Sequence, residues 1–152
     1  MKIDFKLAEN TDVEAFLILM QELYEIDGCI LFNAVVARNA LIQLLNDKSM
    51  GQVWLIKCQS KTIGYVVLTL GYSLEYGGRD AWIDELYIQA NYQGQGIGKQ
   101  TINFLEHVCT SLNVQALHLE VERKNTSAQS FYRRVGFEDH NRYLMTKWLN
   151  KS

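Results

Sequence analysis

The sequence contains no proline, so its turns are left to glycine, asparagine, aspartate and serine. It also lacks an excess of charge, because 15 lysines and arginines stand against 17 aspartates and glutamates, for a net charge of −2. A chain without a basic surplus gives no support to nucleic-acid binding. The apolar run from Phe16 to Met20 is far too short to cross a bilayer. The composition therefore predicts neither a nucleic-acid-binding nor a membrane protein.

Cysteine is scarce, since only Cys29, Cys58 and Cys109 occur, and no two of them form a Cys-x-x-Cys pair. This spacing excludes a zinc ribbon and a thioredoxin motif, and we expect reduced thiols and no metal site. The charges on every second residue of segment 2–6 are not those of a signal peptide. With 152 residues, the chain is predicted to form one domain over residues 1–152, located in the cytoplasm.

Hydrophobic periodicity predicts an α/β chain, since alternation indicates strands, and apolar spacings of three and four indicate helices. Strands are predicted at 2–8, 52–58, 62–71, 81–89, 115–122 and 141–149, with a Gln59-Ser60-Lys61 hairpin turn. Helices are predicted from a Thr11-Asp12-Val13-Glu14 capping box and over 34–46, 97–111 and 126–135. The order β-α-α-β-β-β-α-β-α-β implies an α+β mixed sheet with antiparallel and parallel parts.

The most informative segment is a strand-like run, residues 83–89, that leads into a glycine-rich turn. Gly94, Gly96 and Gly98 remove side chains where a helix with an apolar face begins. A helix start carries free N–H groups and a partial positive charge, so the turn is suited to a phosphate or pyrophosphate.

Two common phosphate-binding patterns do not fit this turn. The P-loop requires Ser or Thr after its lysine, whereas Gln100 follows Lys99, and Gln93 occupies the first glycine position. The dinucleotide fingerprint fails because its second and third glycines are three residues apart, whereas these are spaced two and two. A glycine-rich turn without a ligand remains the plain alternative.

A third pattern, Gln/Arg-x-x-Gly-x-Gly/Ala, is matched by residues 93–98 and resembles the pyrophosphate loop of the GNAT superfamily of acyl-CoA-dependent N-acetyltransferases. About 30 residues downstream, Asn125, Tyr132 and Gly136-Phe137 follow one another as in the second half of the GNAT core. With the matching order of elements, the resemblance covers essentially the whole chain. Asp84 to Ile88 and the two motifs look most like diamine N-acetyltransferases and their bacterial relatives.

The resemblance implies a GNAT fold with a splayed central sheet, acetyl-CoA as co-substrate, and direct attack of a primary amine in a ternary complex. Backbone groups of Leu86, Tyr87 and Ile88 would pair with the pantetheine arm, and the Ile88 N–H could hold the acetyl oxygen. Tyr132 would protonate the departing sulfur. The remaining cofactor-binding residues implied are Gln93, Gly94, Gln95, Gly96, Ile97, Gly98, Lys99, Asn125 and Ala128. The family usually has arginine at the position of Gln93, so the loop lacks that cation.

Acidic residues are the candidates for handling the amine. Asp84 and Glu85 are neighbours on a strand and would point to opposite faces unless a bulge intervenes, and the family is expected to have one. The resemblance assigns cation binding to Asp84 and assistance or base catalysis to Glu85. The further substrate-binding candidates are Glu120, Glu25 and Tyr24. A solvated helix face explains Glu25 nearly as well.

Our interpretation is an acetyl-CoA-dependent N-acetyltransferase acting on a small amine, such as a diamine or polyamine. Two alternatives stay open: acetylation of a protein or peptide amino group, and a non-catalytic acyl-CoA-binding sensor. None of the cysteines falls in either motif, which disfavours a covalent enzyme intermediate. A homodimer is expected from the family alone.

Overall fold

The computed structural model describes residues 2–28 and 30–150 and divides the chain into two compact units, residues 1–120 and 121–152. The strands of the first unit are β1 (Ile3–Leu7), β2 (Gly51–Cys58), β3 (Lys61–Ser73), β4 (Gly78–Ile88) and β5 (Ala116–His118). Its helices are α1 (Val13–Asp27), α2 (Ala34–Leu45) and α3 (Ile97–Ser111). Short 3₁₀ turns at Asn10–Asp12 and Ala90–Tyr92 precede α1 and the glycine turn.

The five strands form one sheet in the order β1-β2-β3-β4-β5, and its mixed character is as the sequence predicts. The first four are antiparallel neighbours, and β5 lies parallel to β4. Gln59 and Ser60 turn the β2–β3 hairpin with φ values of 50° and 71°. Two consecutive positive φ angles match the tight turn whose twist suits a two-residue hairpin, so the predicted hairpin is confirmed.

Pairing between β4 and β5 is short. It runs over three residue pairs, from Asp80 with Ala116 to Trp82 with His118. The strand predicted over 115–122 is therefore shorter than expected. Beyond Trp82, no strand in the described part of the chain pairs with this edge of β4. The backbone of residues 83–88 is thus left with one open edge.

Helices cover both faces of the sheet. On one face, α1 and α2 pack against β2, β3 and β4 around Phe16, whose ring centroid lies 4.2 Å from that of Tyr65. On the other face, Ile97 of α3 packs with Ile56 and Ile63. These apolar layers bury the central strands. Cys58 and Cys109 are buried free thiols, as expected, whereas Cys29 lies outside the described residues.

The predicted capping box at the start of α1 is wrong. The sequence signal was the Thr11 and Glu14 pair, but the chain makes a 3₁₀ turn before the helix. There the Glu9 N–H donates to Asp12 Oδ2 at 2.9 Å, and Asp12 also pairs with Lys6 at 2.8 Å. The α-helix therefore begins at Val13, after this turn.

The second unit contains α4 (Thr126–Arg134), which begins where the Asn125 side chain accepts a hydrogen bond from the Ala128 N–H at 3.1 Å. No strand occurs in its described residues, 121–150, so the strand predicted over 141–149 is wrong. The alternation is real, yet Tyr143, Leu144 and Met145 are 85%, 70% and 89% exposed. A strand needs a neighbour for its backbone groups, and no other strand lies in this unit.

Across the described residues, no helix is both long enough and apolar enough to pass through a bilayer.

Candidate active site

A β-bulge brings the two adjacent carboxylates of β4 to one place. Val67 of β3 pairs with Glu85, and the next residue, Leu68, pairs with Ile83, so Asp84 is an extra residue in the ladder. A bulge breaks the alternation of side chains and re-aims them. Asp84 and Glu85 accordingly line the same cavity, as the family pattern led us to expect.

The cavity lies in the first unit and has a volume of about 270 Å³, near the lower end of the range for small-ligand pockets. Its polar lining residues are Tyr24, Asn33, Asp84 and Glu85. The others, from α1, α2, the loop between them and β3, are all apolar: Phe16, Met20, Ile30, Leu31, Val36, Ala37, Ala40, Leu41, Leu44 and Val67. The cavity is therefore mainly apolar, with two carboxylates on the wall that β4 forms.

Two tyrosine hydroxyls fix the Glu85 carboxylate. Tyr24 donates to Oε2 at 2.6 Å, and the fully buried Tyr65 donates to Oε1 at 2.7 Å. Burial raises the pKa of Glu85, the two hydrogen bonds oppose the rise, and Asp84 adds to it, so the net shift is upward. Burial, reinforced by Glu85, also raises the pKa of both tyrosines. Their hydroxyls therefore remain protonated donors.

Asp84 differs from its neighbour because its side chain is exposed to solvent. It accepts no hydrogen bond from any residue that the structure describes, which leaves both oxygens open to a ligand. Partial burial raises the pKa of Asp84 above its ordinary value of 3.8. The site thus holds one clamped carboxylate and one free carboxylate.

The raised pKa of Asp84 predicts a pH-dependent stability. A carboxyl with a higher pKa in the folded state binds more protons there, so the free energy of unfolding falls as pH rises from 3.8 through the raised value. We expect Asp84→Asn to raise the free energy of unfolding at pH ~7, by less than about 1 kcal/mol because the side chain is partly solvated. At pH ~3 the gain should vanish. Urea unfolding at both pH values measures this, and an equal gain at both would contradict it.

Other acidic residues lie outside the cavity. Glu22 accepts hydrogen bonds from the Tyr87 hydroxyl at 2.8 Å and from Gln89 Nε2 at 3.2 Å. Burial, together with Glu22, raises the pKa of Tyr87 to about 12. Glu25 is exposed on α1 and accepts from Gln21 Nε2 at 3.2 Å. Glu120 is exposed beyond the end of β5.

His118 lies in contact with a carboxylate and two aromatic rings. Its Nε2 lies 3.2 Å from Asp80 Oδ2, and its ring centroid lies 4.6 Å from Tyr76 and 5.0 Å from Trp82. These contacts surround the imidazole at the last β4–β5 pair.

The glycine turn presents backbone N–H groups in the way that an anion site requires. Gly94 and Gly96 have φ values of 76° and 80°, and a Cβ at either would meet no atom within 4 Å. Gly96 is the N-cap of α3, and no described side chain caps that helix start. The N–H groups of Ile97, Gly98 and Lys99 are therefore free of intrahelical partners. These features fit the pyrophosphate of a coenzyme A molecule.

Side chains of the turn brace it from within. Gln93 Nε2 donates to the carbonyl of Ile88 at 2.8 Å, which ties the turn to the end of β4. Gln95 Nε2 donates to the carbonyl of Asn91 at 3.1 Å. The Ile88 carbonyl is thus already engaged, while the open edge of β4 runs through Leu86, Tyr87 and Ile88.

The predicted residues of the second unit share α4. Asn125 caps it, and Ala128 supplies the capped N–H. Tyr132 packs its ring against Phe131 and Phe137, with centroids 5.1 Å and 5.6 Å apart. Burial raises the pKa of Tyr132, so its hydroxyl keeps its proton at neutral pH.

Sequence reasoning missed Tyr65 and the apolar wall on α2. Tyr65 and Val67 lie on one face of β3, and Val67 pairs with Glu85, so the hydroxyl reaches the carboxylate diagonally. The register that reveals this depends on the bulge at Asp84. The helical period predicts a helix over 34–46 but not that a cavity lies beside it.

Comparison with known proteins decides the family. The sequence pattern of the Acetyltransferase (GNAT) family matches residues 18–137. The chain belongs to this family. Among solved structures, this GNAT chain resembles an integron cassette protein from the mobile metagenome of Cole Harbour Salt Marsh, with 32% identity, a TM-score of 0.85 and coverage of 97% of this chain and 91% of that one. An aminoglycoside N-acetyltransferase, AAC(6′)-Iy, in complex with CoA shares the fold at a TM-score of 0.83, with 14% identity over 98% of this chain and 96% of that one.

Curated relatives are similar over shorter stretches. A thialysine N-epsilon-acetyltransferase of Bos taurus is 30% identical over 77 residues, which are 51% of this chain and 45% of that protein. A spermine/spermidine N(1)-acetyltransferase of Bacillus subtilis (strain 168) is 31% identical over 58 residues, which are 38% of either chain. The chain therefore spans less than half the length of these relatives.

Proposed function

We propose that this chain transfers an acetyl group from acetyl-CoA to a primary amine, by direct attack in a ternary complex. One observation carries the proposal: β4 presents two carboxylates to a cavity and then leads directly into a helix start rich in free N–H groups. An amine site and an anion site thus lie at the two ends of one open strand edge. That is the layout that the reaction needs.

The coenzyme would lie along the open edge of β4. Backbone groups of Leu86, Tyr87 and Ile88 pair with the pantetheine arm, and the glycine turn, Gln93 to Lys99, binds the pyrophosphate. Because Gln93 already bridges the turn to Ile88, it acts as a brace of the loop and leaves charge neutralisation to the N–H groups. On α4, the family pattern assigns contacts with the arm to Asn125 and Ala128.

The amine must lose a proton before it attacks, since a free alkylamine has a pKa of about 10.4. Asp84, with both oxygens open, attracts and orients the ammonium group. Glu85, with its raised pKa, accepts the proton directly or through one water. The Ile88 N–H donates to the acetyl oxygen as negative charge develops there. Tyr132 returns a proton to the departing sulfur.

The acceptor is a small amine in this proposal. The names of the relatives, which act on spermine, spermidine and thialysine, support an amine acceptor. A roughly 270 Å³ cavity suits a small molecule better than a protein or peptide chain, which remains the second candidate. The two carboxylates argue against a sensor that only binds acyl-CoA, because such a module needs no proton acceptor. We also propose that residues 1–152 act as one domain, in the cytoplasm and as a homodimer.

The glycine turn gives a direct test of coenzyme binding. Valine at Gly96 would force a β-branched residue to φ near 80° and aim its side chain into the space where the coenzyme is placed. We expect Gly96→Val to weaken CoA binding about tenfold, measured by calorimetry. Gly77→Val is the matched control, because Gly77 has φ 82° and equally open space but lies in the β3–β4 turn. Equal losses of CoA affinity in both variants would contradict the assignment of the glycine turn as the coenzyme-binding site.

A further inference from the structure

The charged side chains of the cavity beside β4 all lie on one wall. Its charge lies at the β4 wall, whereas the walls from α1, α2 and the loop between them are apolar. At the rim, Ile30, Leu31 and Val36 are 57%, 94% and 63% exposed. Apolar side chains left open around a cavity are a feature of surfaces that cover an apolar ligand.

The remaining polar groups of the cavity are already in use. The Tyr24 hydroxyl donates its proton to Glu85. Asn33 Oδ1 accepts from the N–H groups of Val35 and Val36, which occupies both of its lone pairs. Away from β4, the described lining residues carry no carboxylate for a second ammonium group. Asp27 raises the pKa of Glu85 through its charge, but it does not line the cavity.

From this distribution we infer that the cavity binds an amine with one cationic head and an apolar body, alkyl or aryl, in preference to a polycation. The ammonium group lies against Asp84 and Glu85. The body extends between α1 and α2 and covers Met20, Val36 and Ala40. A second ammonium group at the far end would lose water there without gaining a carboxylate partner, which is costly. As the specificity of an acetyl transfer, this inference rests on the proposed function; as a binding property, it does not.

Two homologous series of amines separate the alternatives. The first runs from n-propylamine to n-hexylamine, and the second from 1,3-diaminopropane to 1,6-diaminohexane. We expect the affinity of the monoamines, measured by calorimetry on the full chain, to rise about fourfold per added methylene until the cavity is full. n-Hexylamine should bind at least about tenfold more tightly than 1,6-diaminohexane. Diamines that bind as well as the monoamines, or a flat monoamine series, would overturn the inference.

A pair of variants on α2 tests the location. Ala40→Leu fills the cavity with a residue of good helix propensity and should weaken n-hexylamine binding about tenfold, with a smaller effect on n-propylamine. Ala34→Leu is the matched control on the same helix, because Ala34 is exposed and does not line the cavity. CoA affinity and thermal melting check that both variants are folded. Unchanged n-hexylamine binding in folded Ala40→Leu would place the ligand elsewhere and overturn the inference.

Thiol release from acetyl-CoA with the same amines distinguishes the two proposals. Selective monoamine binding without any thiol release supports the cavity assignment and contradicts the acetyl-transfer proposal. Thiol release with kcat/KM independent of chain length, or higher for the diamines, supports the acetyl-transfer proposal and contradicts the cavity assignment.

Discussion

Glu85→Gln is expected to lower kcat for amine acetylation by about 10² to 10³-fold, the range for loss of a general base. Glutamine keeps the shape and can still accept a hydrogen bond from Tyr24 or Tyr65, but it cannot take a proton. The fall in activity toward low pH, the acid limb of the pH profile, should be absent in this variant. In the wild type, activity rises as pH increases through the raised pKa of Glu85, because the base works only when ionised. Thiol release measured from pH ~5 to ~9 follows both effects.

Glu22→Gln is the matched control for this prediction. Glu22 also accepts a tyrosine hydroxyl, that of Tyr87, but it does not line the cavity. We expect a change in kcat below about threefold. If Glu85→Gln retains wild-type kcat and the same acid limb, Glu85 is not the base, and the free carboxylate of Asp84 is the next candidate.

Tyr132→Phe is expected to lower kcat by about 10²-fold with CoA affinity unchanged within about twofold. Phenylalanine preserves the ring packing against Phe131 and Phe137, so the variant removes only the hydroxyl proton. Burial raises the pKa of that hydroxyl, which keeps the proton available over the working pH range. Steady-state thiol release and calorimetric CoA titration separate the two quantities.

Tyr143→Phe serves as the control for Tyr132, since Tyr143 is 85% exposed in the same unit. It should leave both kcat and CoA affinity unchanged. An unaltered kcat in Tyr132→Phe would show that the sulfur leaves without this acid. Loss of CoA affinity in Tyr132→Phe would instead make Tyr132 a binding residue.

Most of the first unit could be predicted from local patterns. Alternation gave β1 to β4 within a few residues, and the helical period gave α2 and α3, because each of these elements buries one regular face. The start of α1 could not be read in the same way, because a 3₁₀ turn with its own hydrogen bond from Glu9 to Asp12 precedes the helix. The segment 141–149 shows that a strand-like pattern does not by itself produce a strand. Residues 141–149 alternate as a strand does, yet pairing depends on a neighbour that local sequence does not specify.

The candidate site also combines features that the sequence could predict with features that it could not. The glycine turn is a contiguous motif, so the sequence alone locates it. The carboxylate pair could be named, and the family resemblance led us to expect a bulge, but the position of the extra residue is seen only in the β3–β4 register. The Tyr65 hydrogen bond and the apolar cavity depend on that register and on packing between α1 and α2. They are tertiary features, and no short motif encodes them.

The most direct test of the central claim is mass analysis of the products after the protein is incubated with acetyl-CoA and a primary amine such as n-propylamine. We expect one acetylated amine for each CoA thiol released, with no acetyl group left on the protein. Failure to bind CoA and to release thiol would contradict it at the glycine turn. Thiol release with acetylated protein and no acetylated amine would contradict direct attack in a ternary complex.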